Sequence, residues 1–272
     1  MNNKQNLHTH STYVDGKDTP EEMLLEAIKR GFDAVGFSEH TYLPTSNLSK
    51  QMNDEDTEKY KKEINALKEK YRGIIDVFCG LEYDSYSSVN TDGFDYIIGS
   101  VHYLDVNGRI VGFDKALAPT LDYINEHFEG NGLKFAKAYF ERVALLPEIS
   151  SFDVLGHFDV LVKNNEKGKF IDVTSKEYIN MGFEAIHSVK GKIPFFEVNT
   201  GAISRGYTTS PYPQIDFIKE FQRLGFGAVI TSDCHDKNFI DCYFEESRAL
   251  LEAGGFKSRW ILTDNGFVEV KI

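Results

Sequence analysis

Short apolar runs alternate along this chain with stretches of helical period. Asp33-Ala34-Val35-Gly36-Phe37, Ile75-Asp76-Val77-Phe78-Cys79, Tyr96-Ile97-Ile98-Gly99-Ser100 and Phe152-Asp153-Val154-Leu155-Gly156 each read as a strand. Pro194-Phe195-Phe196-Glu197-Val198 and Ala228-Val229-Ile230-Thr231 follow the same pattern. Runs of this length, rich in Val, Ile and Phe, suit strands covered on both faces. Thr19-Pro20-Glu21-Glu22 is a capping box with proline at the first helical position. Met23, Leu24, Ala27 and Ile28 supply its apolar face, and Gly31 ends it. The spacing predicts a highly charged helix over 54–72, with Ile64, Leu67 and Tyr71 on one face, and two helices over 114–146 broken near Gly130-Asn131-Gly132. Helices over 175–190, 213–224 and 244–253 complete the set, and Asp264-Asn265-Gly266 predicts a terminal hairpin. Repeated β–α alternation implies a parallel sheet, open or closed into a barrel. No Pro/Ser-rich linker interrupts it, so one domain over 1–272 is expected.

Composition narrows the function classes. Of 272 residues, 41% are hydrophobic and 26% charged, which fits a globular protein rather than a disordered one. The formal net charge of −12 repels nucleic-acid phosphates and anionic lipid, so no nucleic-acid partner and no membrane partner is expected. A small phosphorylated ligand is still admitted, because a bound cation outweighs the global field locally. The polar start Met1-Asn2-Asn3-Lys4-Gln5-Asn6 has no apolar leader core, and no run is long enough to span a bilayer. Three cysteines, Cys79, Cys234 and Cys242, form no C-x-x-C pair, which points to a reduced cytoplasmic setting.

The chemistry stands where the strands end. Leu7 leads into His8-Thr9-His10, Phe37 into Ser38-Glu39-His40, and the strand at 75–79 into Gly80-Leu81-Glu82. Later strands lead into Val101-His102, His157-Phe158-Asp159, Asn199-Thr200 and Ser232-Asp233-Cys234-His235. Six of the eight histidines therefore sit at C-terminal strand ends, the rim on which parallel barrels build active sites. In His8-x-His10 the i, i+2 spacing of a strand lets two imidazoles reach one cation, and Asp233-x-His235 repeats that spacing with a carboxylate. Cys234 then points away as a small buried hydrophobe. Nine candidate ligands result: His8, His10, Asp15, His40, Glu82, His102, His157, Asp233 and His235. Imidazole and carboxylate without thiolate suit Zn²⁺, Mn²⁺ or Fe²⁺. Nine donors exceed one tetrahedral ion and fit two or three divalent metal ions, a cluster that can make hydroxide at neutral pH and clamp an in-line phosphoryl displacement.

These residues resemble the PHP (polymerase and histidinol phosphatase) family over almost the whole chain. The matching pieces are H-x-H near the start, Asp15-Gly16, Glu39-His40, Gly80-Leu81-Glu82, Gly99-Ser100-Val101-His102, Gly156-His157-Phe158-Asp159, Glu197-Val198-Asn199-Thr200 and Ser232-Asp233-Cys234-His235. The resemblance implies a distorted (β/α)₇ barrel of the TIM-like α/β class, with the metal site at the C-terminal rim. It implies that His8, His10, Glu82 and Asp233 hold one ion, that Glu82 bridges to a second with His102 and His157, and that Asp15, His40 and His235 hold a third. Within the family the chain looks most like the stand-alone histidinol-phosphate phosphatases, in length and in a helical insert around 103–146. That implies hydrolysis of L-histidinol phosphate in histidine biosynthesis. Two departures stand out: Glu39 where Asp is expected, and Lys163 where Arg is expected, a point charge without a bidentate fork.

Arg205, just beyond a strand end, and Lys163 are the expected substrate contacts. Asp15, His40 and His235 are the candidates for assisting the leaving alkoxide. Glu39 either orients a ligand histidine or faces solvent, and Glu197 either touches substrate or pairs within the barrel. Asp159 and Asn199 serve as caps or as supports of ligands. His127 and His187 fall in helical patterns outside the site. The alternatives are a PHP phosphoesterase acting on phosphotyrosine or nucleotides, a nuclease, and a non-catalytic metal-binding module.

Overall fold

The structure, a computed structural model, describes residues 3–43 and 52–272. Met1 and Asn2, the first residues of the polar start, lie outside the described residues. Seven parallel strands run β1 (Gln5–Asn6), β2 (Ala34–His40), β3 (Asp76–Asp84), β4 (Tyr96–Ser100), then β7 (Val154–Leu155), β8 (Phe195–Asn199) and β9 (Gly227–Thr231), each hydrogen-bonded to the next. The edges meet: Thr9 and Cys234 form a parallel bridge, and the His10 N–H donates to Cys234 O at 3.0 Å. Asn6 adds a side-chain clasp, donating from Nδ2 to Ser232 Oγ at 2.6 Å and accepting the Ser232 N–H at 3.2 Å. The result is the nearly closed seven-stranded barrel expected from the sequence, distorted because β1 and β7 pair over only two residues each.

Helix α1 (Pro20–Lys29) carries the full capping box, with the Glu22 N–H donating to Thr19 Oγ1 and the Thr19 N–H to Glu22 Oε2. Gly31 follows it at φ +71°, where a Cβ would be strained. Helix α2 (Asp54–Lys70) buries Ile64 and Leu67 as its period requires. Segment 103–146 departs from a wholly helical reading. Its first part is an antiparallel hairpin, β5 (Tyr103–Val106) and β6 (Arg109–Gly112), before α3 (Leu117–Phe128), α4 (Gly132–Ala144) and the short α5 (Leu146–Ile149). The signal was local: Asn107-Gly108 adopts φ +54° and +80°, the two positive values of a tight hairpin turn. The short α6 (Asn165–Gly168), then α7 (Lys176–Val189), the short α8 (Gly201–Ser204), α9 (Ile215–Leu224) and α10 (Phe244–Ala253) follow, and β10 (Ser258–Thr263) pairs with β11 (Gly266–Lys271) as the terminal hairpin.

Two apolar regions hold the barrel. Outside the strands, Phe140, Phe158, Phe217 and Phe221 interlock between helices and sheet. Inside, Leu7, Ala34, Phe78, Ile98, Val154 and Val229 fill the lower barrel, and Leu262 plugs it from below. Gln5 fixes that plug, donating to Leu262 O at 2.8 Å and accepting its N–H at 2.7 Å. Tyr96 crosses the interior, its hydroxyl donating to Phe37 O at 3.2 Å and to Leu7 O. It fits only because Gly36 and Gly80 have no Cβ; one at Gly80 would lie 2.2 Å from the ring. Alternate residues of β3, Phe78, Gly80, Glu82 and Asp84, thus pass from apolar plug to ring floor to ionisable rim.

Candidate metal centre

Above Tyr96 the strand ends deliver their ionisable side chains into one cleft. His8 Nε2, His10 Nε2, Glu82 Oε2 and Asp233 Oδ1 converge on a point. His8 lies 3.1 Å from His10, 3.4 Å from Glu82 and 3.7 Å from Asp233, while His10 lies 3.5 Å from Glu82 and 3.3 Å from Asp233. Ligands roughly 2.0–2.2 Å from a tetrahedral ion stand roughly 3.3–3.6 Å apart, and these five separations lie near that range. All four side chains are nearly or wholly buried. Among the described residues the near neighbours of buried Glu82 Oε2 are imidazole nitrogens, those of His8, His10 and His40, so the oxygen faces the same point as potential metal ligands.

The other Glu82 oxygen faces a second set. Glu82 Oε1 lies 2.9 Å from His157 Nε2 and 3.3 Å from His102 Nε2, and the two imidazole nitrogens are 3.0 Å apart. A third, more open set joins Asp15 Oδ2 to His235 Nε2 at 3.3 Å and to His40 Nε2 at 3.8 Å. His40 Nδ1 stands 2.7 Å from Glu82 Oε2 and links this set to the first. The nine residues singled out in the sequence therefore come together at one rim. The donors are imidazole nitrogens and carboxylate oxygens at metal-ligand spacing, so divalent ions fit them, with Glu82 positioned to be shared.

Local structure explains the convergence. Asp233 takes φ +44°, a left-handed turn. The extended geometry expected for Asp233-x-His235 is therefore absent, and the two side chains go to different sets, Asp233 to the first and His235 to the third. Gly201 makes room for this turn, since a Cβ there would lie 2.6 Å from Asp233 Oδ2. Asp15 is delivered by a tight loop: the Gly16 N–H donates to Ser11 O at 2.9 Å, and a Cβ on Gly16 would meet His10 O at 2.3 Å. The Lys17 N–H, donating to His235 O at 2.8 Å, locks that loop to the last strand end.

A second layer of carboxylates orients the imidazoles. Glu197, fully buried, faces His8 Nδ1 at 2.9 Å and accepts from the His157 N–H at 2.6 Å, Asn199 Nδ2 at 2.9 Å and Thr231 Oγ1 at 2.8 Å. A proton on His8 Nδ1 directed at Glu197 leaves Nε2 free to ligate. Asp84 plays the corresponding part for His102, accepting its N–H at 2.9 Å and facing its Nδ1 at 3.3 Å. Glu39 does not face solvent: it accepts the Ser11 N–H at 2.7 Å and stands 3.9 Å from His10 Nδ1, and burial pushes its carboxyl up to about 8. Asp84 was missed in the sequence, although it follows Glu82 by two residues and so shares its face of β3.

Arg205 lies over the rim, with Nη2 donating to Asp233 Oδ2 and Nη1 to Asp233 O, both at 3.3 Å, and with Nη1 2.6 Å from His235 Nδ1. Lys163 also reaches the cleft, but it is buried and already paired, its Nζ 2.7 Å from Asp114 Oδ1 and 4.5 Å from the centre of the Tyr207 ring. Asp159 accepts the Gln214 N–H at 3.1 Å, at the start of α9, and Asn199 donates to Glu197. Cys234 is wholly buried. His127 and His187 lie on α3 and α7, and His187 pairs with Glu220.

Electrostatics set a pH dependence for ion uptake. Burial lowers the proton affinity of His40, but Glu82 and Asp15 outweigh it and raise it to about 10. His8 is likewise raised, against burial, by Glu197, Glu82 and Asp233. Burial, with His235 and His40 nearby, instead pushes His10 down to about 3. At neutral pH the ion-free rim thus holds protons on His8 and His40, and an incoming cation must displace them. Apparent metal affinity is expected to rise with pH up to about 10, the value for His40, by up to about tenfold per unit for each proton displaced. Calorimetric titration in two buffers of different protonation enthalpy should register that release; equal heats in both would contradict it.

The chain matches the PHP domain family over residues 6–200. It belongs to that family. Asp233 and His235 lie beyond the matched residues, and their place at the rim comes from the geometry alone. A histidinol-phosphatase of Bacillus subtilis is 30% identical over 89% of this chain and 97% of its own length. A histidinol-phosphatase of Lactococcus lactis is 26% identical over 93% and 92%. Among solved structures, a histidinol phosphate phosphatase of Lactococcus lactis, complexed with Zn, L-histidinol and phosphate, superimposes with a TM-score of 0.74 at 19% identity, covering 98% of this chain and 99% of that one. At that identity the superposition establishes the shared fold. No described helix is long and apolar enough to cross a membrane.

Proposed function

We propose that this PHP-family chain is a metal-dependent phosphomonoesterase that hydrolyses L-histidinol phosphate to L-histidinol and phosphate, a step of histidine biosynthesis. The observation that carries the hydrolytic reading is the shared carboxylate: Glu82 presents one oxygen to His8 and His10 and the other to His102 and His157. Divalent ions held there would supply a nucleophilic water at neutral pH and neutralise charge on the phosphoryl group. The substrate reading is supported by relatives from two bacteria that carry this activity in their names.

The chain's own residues supply the rest. Arg205, at the rim beside Asp233 and His235, presents a guanidinium to phosphoryl oxygens. Asp15, His40 and His235 are the most exposed of the ligating groups, and in this reading one of them assists the departing alkoxide. Glu197 and Asp84 hold the imidazole rings in the orientation that ligation needs. The net charge of −12 disfavours a nuclease.

The test is phosphate release from L-histidinol phosphate against a panel containing phosphotyrosine and nucleoside monophosphates, with metal content measured on the same sample. Preference for another ester would reassign the substrate, and no turnover of any ester by metal-loaded protein would favour a non-catalytic metal-binding module. Arg205→Ala is expected to raise KM for the phosphate ester by about 10- to 100-fold, the effect of losing hydrogen bonds to a charged group. An unchanged KM would remove Arg205 from the site.

A further inference from the structure

At the end of the barrel opposite the rim, the hairpin of β10 and β11 keeps one edge free. β10 packs beside β9, and β11 pairs with β10 alone. That pairing runs from Thr263 with Gly266 to Ser258 with Lys271 without a bulge. Beyond it the Ile272 N–H donates to Lys257 O at 3.4 Å, which fixes the alternation: Val268, Val270 and Ile272 turn their backbone groups toward β10. Phe267, Glu269 and Lys271 therefore turn theirs outward, and among the described residues no other strand takes them. The strand is mostly exposed, Val268 by 37%. A row of unpaired N–H and C=O groups of this kind is a template for a further strand.

The side chains of this edge are complementary to themselves. Glu269 and Lys271 point to one face of the hairpin, and Val268, Val270 and Ile272 to the other. Glu269 Oε1 accepts from Ser258 Oγ, while Lys271 has no acceptor among the described residues. A second copy running antiparallel about a two-fold axis must pair outward residues with outward residues. An axis at Val270 sets Glu269 opposite Lys271 of the second copy, twice by symmetry, and Val268 opposite Ile272. An axis at Glu269 or at Lys271 sets like charges face to face, which opposes pairing. An axis at Val268 leaves Glu269 against Phe267. The charges thus select one register. Edges are commonly blunted by proline, a bulge or charge. β11 has no proline and no bulge, and its two charges attract in the register centred on Val270.

We propose that β11 is a dimerisation edge, on which a second copy of this chain lays its own β11 antiparallel to make one four-stranded sheet. Backbone hydrogen bonds through Glu269 and Lys271 hold the two strands, and the Glu269–Lys271 pairs fix their register. Val268, Val270 and Ile272, with half-buried Ile261 of β10, then form one apolar face across the axis. The contact is small, so the dimer forms and parts readily, with a Kd on the order of 10 µM. The rim lies at the other end of the barrel, and its cleft stays open in the dimer. The competing explanation is that the two charges keep the edge hydrated and unpaired. The two differ in how association responds to charge reversal.

Sedimentation velocity on the metal-loaded chain, from about 1 to about 300 µM, should show its mass pass from one chain to two. Glu269→Lys and Lys271→Glu should each weaken association by about tenfold or more, and the two together should restore it to within about threefold. Val270→Cys, at the axis, should form an intermolecular disulfide on mild oxidation, since facing residues of a non-hydrogen-bonded pair stand at disulfide distance. Val268→Cys should not, because it faces Ile272. The unsubstituted protein, oxidised alike, controls for the half-buried Cys242. Metal content and Tm should be unaltered in every variant, which shows that each one folds. A chain that stays monomeric throughout and gives no Val270→Cys cross-link overturns the proposal and leaves the edge to a strand of some other protein. Dimers indifferent to both single reversals, or cross-linked equally at 268 and 270, overturn it too.

Discussion

Glu82→Ala is expected to abolish metal-dependent phosphate release, by at least roughly 10³-fold, and to remove ions from both of the inner ligand sets. The reason is geometric. One carboxylate supplies Oε2 to the set of His8, His10 and Asp233 and Oε1 to the set of His102 and His157. Its side chain is about as deeply buried as any at the rim, so water cannot readily take its place. Burial alone would favour its neutral form, but His40, His8 and His102 hold its carboxyl well below the ordinary range, so it is ionised and ready to ligate. His102→Ala should act differently, since it touches only one set. Elemental analysis of the two purified variants separates the cases: Glu82→Ala should lose more metal per chain than His102→Ala. Equal metal content in both, or full activity in Glu82→Ala, would show that the carboxylate is not shared.

Stripping the ions with a chelator is expected to lower Tm by about 10 °C. The first ligand set comes from β1, β3 and β9, elements at the beginning, middle and end of the chain. An ion there therefore ties the two edge strands across the gap that hydrogen bonding closes through the Thr9–Cys234 bridge and the Asn6 clasp. A ligand at about 1,000 times its Kd stabilises the native state by about 4 kcal/mol. For a domain of this size each kcal/mol moves Tm by about 2–4 °C. Restoring Zn²⁺ or Mn²⁺ should restore the transition, while Asp233→Ala should show little response to either chelator or metal. Differential scanning calorimetry reads both results, and an unaltered Tm on chelation of a protein shown to contain metal would count against the role of the ion as a closure.

Much of the rim was legible in the chain itself. His8, His10, His40, Glu82, His102 and His157 each follow an apolar run, and a residue just past a parallel strand has only the C-terminal rim to occupy. The strands themselves could be read because β-branched and aromatic runs covered on both faces have no polar interruption, as in Tyr96–Ser100. The hairpin β5–β6 was hidden by the helical pattern that follows it, although Asn107-Gly108 marked its turn. The supporting acids were harder to see. Glu197 was read as either touching substrate or pairing within the barrel, because a carboxylate inside a strand gives no sign of which imidazole it will meet. Its contact with His8 joins residues 189 positions apart.

Sequence by itself determined the alternation of strand and helix, the placing of imidazoles and carboxylates at strand ends and hence the chemistry of a divalent-metal site, because these follow from local period and residue type. Tertiary structure decided how those donors divide. Closure of β1 onto β9 brings His8 and His10 to Asp233, the left-handed turn at Asp233 sends His235 to the other set, and the register of β3 against β4, with that of β4 against β7, places Glu82 between both inner groups. It also decided that Lys163 arrives already paired with Asp114. Such facts depend on distances between residues far apart in the chain. No local pattern encodes those distances; only the closing of the barrel sets them.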